Sequence, residues 1–147
     1  MAKVHLETFV RGPVEEVFDL ARDLDFHQRS LEHTGERIVG GKPSGLIELG
    51  EEVEWEARHL GLRWRLRSRV TAFDRPLSFV DEQVRGPFAS FTHRHAFRTA
   101  PGGTLMTDDW THRAPLGALG RLADLGLSAY VERLLRRRNA AMVARFQ

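Results

Sequence analysis

From residue 3 to residue 11 the chain alternates, with Val4, Leu6, Thr8 and Val10 set against Lys3, His5, Glu7 and Phe9. This is the two-residue period of a strand with one buried and one solvated face. Gly12-Pro13 ends it. Pro13 suits the first turn of a helix, Glu15 and Glu16 complement the positive helix end, and Val14, Val17, Phe18 and Ala21 recur at helical spacing. A short helix is therefore predicted there. A second helical piece is predicted over 24–33, capped by Asp23, followed by a brief strand within "HTGERIVGGKPSG".

Between Leu46 and Arg113 the period returns to two, and alternations separated by "HLGL", "DRP", "RGP" and "APGG" predict an antiparallel meander. In its first hairpin Val53, Trp55 and Ala57 share a face with Leu62, Trp64, Leu66, Ser68 and Val70. The opposite face carries Glu52, Glu54 and Glu56 with Arg63, Arg65, Arg67 and Arg69, and a turn at Leu60-Gly61 sets glutamates across from arginines. After Pro115 a helical stripe runs through Leu116, Leu119, Ala123, Leu127, Tyr130, Leu134, Met142 and Phe146, while Arg121, Asp124, Glu132, Arg133, Arg136 and Arg137 lie elsewhere. Gly117, Gly120 and Gly126 crowd its first half, each costing about 1 kcal/mol relative to Ala. Close packing, a break near Gly126 and a movable segment at a cavity mouth are the open readings of these glycines.

With 147 residues, 41% of them hydrophobic, a single domain spanning 1–147 can bury its own core. The absence of cysteine excludes disulfides, thiolate zinc and a cysteine nucleophile. No signal-peptide pattern and no apolar run of about 18 residues is present, so a soluble, cytoplasmic protein without a membrane span is expected. The 22 basic and 20 acidic residues nearly cancel, and the arginines of "RWRLRSR" face glutamates, so no nucleic-acid partner is expected. Arg133, Arg136, Arg137 and Arg138 offer a surface for an acidic partner, against the simpler reading of a solvated helix end. The exposed rim leaves room for a homodimer.

The stretch "SFTHRHAF" carries the most chemistry. Its alternation puts Phe91, His93, His95 and Phe97 on one face. If "APGG" is a four-residue loop, Thr99 opposes Thr104, and the pairs Phe97–Met106, His95–Asp108, His93–Trp110 and Phe91–His112 follow. An aspartate beside an imidazole fixes its tautomer and raises its pKa, which makes His95 and Asp108 the candidate acid-base pair. The same two residues also fit a satisfied polar pair in the sheet or a ligand-recognition element. His93, His95, Asp108 and His112 are chemically suitable metal ligands, but they converge only if the sheet curves sharply, and no metal or other cofactor is assigned.

The order strand, two short helices, six-strand meander and long C-terminal helix resembles the START-related, helix-grip (SRPBCC) superfamily of polyketide cyclases and lipid-transfer domains. "SFVDEQVRGPFASFTHRHAF" followed by "GGTLMTDDWTHRAPLG" is similar to a bacterial branch of ligand-binding members, some fused to epimerase-like domains. The resemblance implies an α+β fold in which a curved antiparallel sheet of about seven strands (β-α-α-β6-α) wraps the C-terminal helix around an elongated cavity. It also orients Asp81 and Gln83 inward with Phe79. The implied lining is Trp55, Trp64, Phe79, Asp81, Gln83, Phe91, His93, His95, Asp108, Trp110, His112 and Tyr130, and the implied partner is a hydrophobic small molecule such as a lipid, polyketide, quinone or steroid-like compound. The alternative within the resemblance is a cyclase or dehydratase in which His95, oriented by Asp108, moves a proton while His93 or Gln83 polarises a carbonyl.

Overall fold

The computed structural model describes residues 2–115 and 117–147, and within the last helix the side chains of Asp124 and of residues 126–145. Strand β1 (Ala2–Val10) leads into helices α1 (Val14–Ala21) and α2 (Leu24–Ser30) and a 3-10 turn at Glu32–Thr34. Strands β2 (Arg37–Gly41), β3 (Glu52–His59), β4 (Leu62–Asp74), β5 (Ser78–Arg85), β6 (Ser90–Ala100) and β7 (Gly103–Arg113) follow, and α3 (Gly117–Arg145) ends the chain. The strands form one antiparallel sheet in the order β1-β7-β6-β5-β4-β3-β2. This is the expected helix-grip α+β architecture, and no described helix is long and apolar enough to cross a membrane.

Local chemistry accounts for the turns. Asp23 caps α2 by accepting hydrogen bonds from the Asp25 and Phe26 amides, at 2.9 and 3.2 Å. Leu60 and Gly61 both take left-handed backbone angles, as a two-residue hairpin of type I′ requires, and this sets Glu56 opposite Arg65, Glu54 opposite Arg67 and Glu52 opposite Arg69. The ladder is more than a solvated face. Arg37 and Arg65 both bond Glu56 while Arg67 and Arg85 bond Glu54, so both glutamates are buried beneath guanidinium groups. The β6–β7 turn is Pro101-Gly102, with Ala100 and Gly103 already paired, so the loop is two residues rather than the expected four. The register is unaffected, because shortening a hairpin loop symmetrically leaves every pair in place.

Phe18 from α1 meets Phe73, Phe79 and Phe97 edge-on, at centroid separations of 5.2–5.5 Å, and with Met106 and Met142 they form the main core. The described face of α3 that packs on the sheet is Asp124, Val131, Leu135, Arg138, Asn139 and Met142, all buried. Leu127, Tyr130 and Leu134 of the expected stripe lie to one side and line a cavity instead. Leu116 lies outside the described residues, as do the side chains of Leu119, Arg121 and Ala123 and the surroundings of Gly117 and Gly120.

One carboxylate accepts three hydrogen bonds, two of which fasten α3 to the sheet. Asp108 of β7, with no solvent exposure, accepts from Arg138 Nη2 at 2.7 Å, Asn139 Nδ2 at 2.9 Å and His93 Nε2 at 2.7 Å. Asn139 also donates to Thr8 Oγ1 of β1 and accepts from Arg138. Burial pushes the Asp108 pKa up, but the Arg138 charge and the His93 hydrogen bond outweigh it and hold the carboxyl well below the usual range. Arg138 is thus an internal counter-ion, which corrects its expected place on a partner-binding surface. Of the other arginines in that group, Arg136 pairs with Glu132 and Arg133 lies over the Tyr130 ring.

Replacing Arg138 with Met leaves Asp108 as an uncompensated buried charge and is expected to destabilise the fold by about 3–5 kcal/mol in urea denaturation. Adding Asp108→Asn should recover part of that loss, whereas simple additivity would show that the two groups do not act together. Because the folded pKa of Asp108 lies below its unfolded value, its contribution is complete above about pH 4 and is lost as the pH falls below it. Asp108→Asn should accordingly flatten the acid limb of the stability profile.

Candidate functional site

The concave face of the sheet, α2 and α3 enclose an inner chamber of about 180 Å³. An outer chamber of about 370 Å³ adjoins it, and the two share Glu36, Trp55, His59, Leu66, Trp110, Val131 and Leu134 as wall residues. Both are mainly apolar, and the inner one carries the larger share of polar groups. Aromatic and aliphatic walls with a few convergent polar groups are the usual make-up of a small-molecule site.

Alternation along β6 turns Phe91, His93, His95 and Phe97 inward, and the register pairs them with His112, Trp110, Asp108 and Met106, as expected. Phe97 joins the Phe18 core, while the other three line the inner chamber. The imidazoles stand in an aromatic column: Phe79 stacks on His95 at 4.1 Å, His95 on His93 at 3.7 Å, and Trp110 lies 5.4 Å from His93.

The acid-base pairing differs from the expected one. His95 Nδ1 is 3.7 Å from Asp108 Oδ1, too far for a hydrogen bond, and Asp108 is taken instead by His93 Nε2. His95 Nε2 bonds Asp81 Oδ2 at 2.8 Å. Each imidazole therefore reaches the carboxylate diagonal to it rather than the one directly across, a neighbour within range of long side chains. Nor is the His95 pKa raised: burial and the neighbouring His93 push it down to about 4 against the pull of Asp81. His95 is neutral near pH 7, with its proton on Nε2 toward Asp81. The His95–Asp108 dyad that the cyclase reading requires is absent from this geometry.

Nine of the twelve expected lining residues border the chambers: Trp55, Phe79, Asp81, Phe91, His93, His95 and Trp110 the inner, and Trp64 and Tyr130 the outer. Gln83, Asp108 and His112 do not. Gln83 clasps the backbone of Phe88, donating to its carbonyl at 2.8 Å and accepting from its amide at 3.3 Å. This holds Phe88 in the outer wall. Asp108 lies beneath the inner chamber, fastening α3. His112 Nδ1 accepts the Trp110 indole N–H at 2.9 Å, so its own proton sits on Nε2, 3.3 Å from Asp124 Oδ1. Asp124 in turn accepts from the Ala114 amide, tying the end of β7 to α3.

The wall also contains polar residues not expected there: Arg22, His27, Glu36, His59 and Arg138. His59 had a legible signal, since it continues the parity of Val53, Trp55 and Ala57. Its Nδ1 meets the Tyr130 hydroxyl at 2.7 Å, and burial lowers its pKa. His27 lies against Trp55 with centroids 4.4 Å apart, in a short helix whose sequence has no clear period.

The chain matches the family described as "Polyketide cyclase / dehydrase and lipid transport" over residues 1–147. No curated protein sequence matches it significantly. Among solved structures, TTHA0849 from Thermus thermophilus is 20% identical with a TM-score of 0.75, and the alignment covers 99% of each chain. Ginseng major latex-like protein 151 from Panax ginseng is 16% identical with a TM-score of 0.72, over 99% of this chain and 97% of that one. A START superfamily protein from Mycobacterium smegmatis is 15% identical with a TM-score of 0.72, again over 99% and 97%. These likenesses carry the fold, and the full-length family match carries the membership: this chain belongs to the polyketide cyclase / dehydrase and lipid transport family.

Proposed function

We propose that the protein binds, and in that sense carries, a hydrophobic small molecule of the polyketide, quinone, steroid or lipid class, seated between the sheet and α3. The observation that carries this reading is the pairing of chambers of unlike chemistry. In the outer one, Trp64, Phe88, Leu127 and Leu134 offer apolar area. In the inner one, Asp81, His93, His95 and Arg138 supply polar contacts among Trp55, Phe79 and Trp110. A ligand with an apolar body and an oxygen-bearing end matches both, with the oxygens innermost. The aromatic walls favour flat ring systems over flexible chains, because rigid rings lose little conformational entropy on binding. Leu60 and Trp64 at the β3–β4 hairpin line the outer chamber while remaining exposed, giving an apolar ligand a greasy threshold to cross.

Calorimetric titration with polycyclic phenols, quinones, sterols and fatty acids tests the reading. The expected outcome is one molecule bound per chain, ring systems ahead of fatty acids, with a negative heat-capacity change from apolar burial. Leu134→Trp, which fills the shared wall, should weaken that binding at least about tenfold while shifting the melting temperature only slightly. Unchanged affinity in this variant would place the ligand elsewhere and remove the proposal. A parallel comparison of native and denatured masses of protein from its source organism should show a released organic molecule.

A further inference from the structure

We propose that Asp81, His93 and His95 form a divalent-cation site in the wall of the inner chamber. One donor atom from each lies within 4.8 Å of the others, and all three residues border the chamber. The set differs from the four residues considered from sequence: Asp108 is spent on Arg138 and Asn139, and His112 on Trp110. Two imidazoles and one carboxylate suit zinc, cobalt, iron or manganese rather than calcium or magnesium, and three protein ligands leave coordination positions for water or an anionic oxygen.

The stack Phe79–His95–His93 holds the two imidazoles face to face at 3.7 Å and 25°, so one ring must turn for both lone pairs to meet a single cation. Asp108 stands behind them as the outer carboxylate that metal-binding histidines usually have. It engages His93 Nε2, which leaves Nδ1 as that ring's coordinating atom. Arg138 and Asn139 hold that carboxylate in place, and the Arg138 charge offsets its charge. Asp81 then remains as one net negative charge for the cation.

A second, independent observation is the state of His95. Its buried Nδ1 has no hydrogen-bond partner among the described residues and faces Asp108 Oδ1 at 3.7 Å, while its Nε2 proton goes to Asp81. A lone pair opposed to a carboxylate is unfavourable, and an orphaned buried polar atom carries a cost. A cation bound by His95 Nε2 and Asp81 removes both faults. The proton leaves Nε2 and is taken up at Nδ1, the ring stays neutral, and Nδ1–H then points at Asp108. The Asp81 oxygen, released from the proton, becomes a ligand. No proton is gained or lost overall.

The test uses chelator-treated full-length protein titrated with Co²⁺ and, separately, Zn²⁺, with no organic ligand present. One Co²⁺ per chain should bind and develop visible d–d absorption. Asp81→Asn and His95→Gln should abolish the absorption, and Asp108→Asn, a positioning residue, should weaken binding about 10–100-fold without changing the stoichiometry. Nitrogen-15 spectra of the wild-type imidazoles keep the test independent of how the variants fold. Saturating Zn²⁺ should shift the His93 and His95 nitrogens and convert His95 from the Nε2–H to the Nδ1–H tautomer, leaving His112 unchanged. A His95 tautomer that is the same with and without Zn²⁺, or cobalt binding that survives Asp81→Asn and His95→Gln intact, overturns the proposal. Either result leaves the organic-ligand reading standing, since that is tested without metal.

Discussion

A buried carboxylate must be compensated, and in this fold the compensation for Asp108 comes from the far side of the cavity. Arg138 and Asn139 descend from α3 to meet it, His93 joins from the next strand, and Asn139 extends the network to Thr8 on β1. The helix is thereby fixed in position along the sheet by directional bonds, where hydrophobic contact alone would tolerate sliding. Toward one end of this fixture the Phe18 cluster with Met142 fills the space between helix and sheet. Toward the other, Leu127, Tyr130 and Leu134 stand off and the chambers remain. A network of this kind is a weak source of net stability, because desolvating its charges offsets most of the attraction. What it supplies is a defined placement.

The β3–β4 hairpin shows how one sequence pattern serves two faces. Its inward parity carries Val53, Trp55, Ala57 and His59 to the core and the chamber walls, and its outward parity carries the glutamate–arginine ladder. The ladder draws arginines from β2, β4 and β5, so Glu54 and Glu56 are covered although they face away from the cavity. Matching charges across three strand boundaries also disfavours a one-residue slip, which would carry glutamates inward and tryptophans out.

The backbone pairing was legible because strand parity and hairpin turns are local properties. "APGG" placed His95 across from Asp108 even though the turn proved shorter than expected. Which side chain bonds which was not legible, since sheet twist and competing partners decide between the opposite and the diagonal neighbour. Here Asp108 was already engaged by residues thirty positions away, and His95 turned to Asp81. Arg138 was misplaced for a related reason. It sits seven residues after Val131 and four before Met142, in step with the buried face, but its charge and its neighbours in "RRRN" made it look like surface. Periodicity was the better guide than polarity at that position. His59 teaches the same lesson on a strand.

The three tryptophans of the chain, Trp55, Trp64 and Trp110, all stand in the chamber walls. The long-wavelength ultraviolet emission of the molecule is therefore a property of its cavity. Any guest that changes the polarity of the chambers, or quenches an indole on contact, acts on every such emitter at once, with no background from indoles elsewhere. The protein carries its own optical gauge of occupancy.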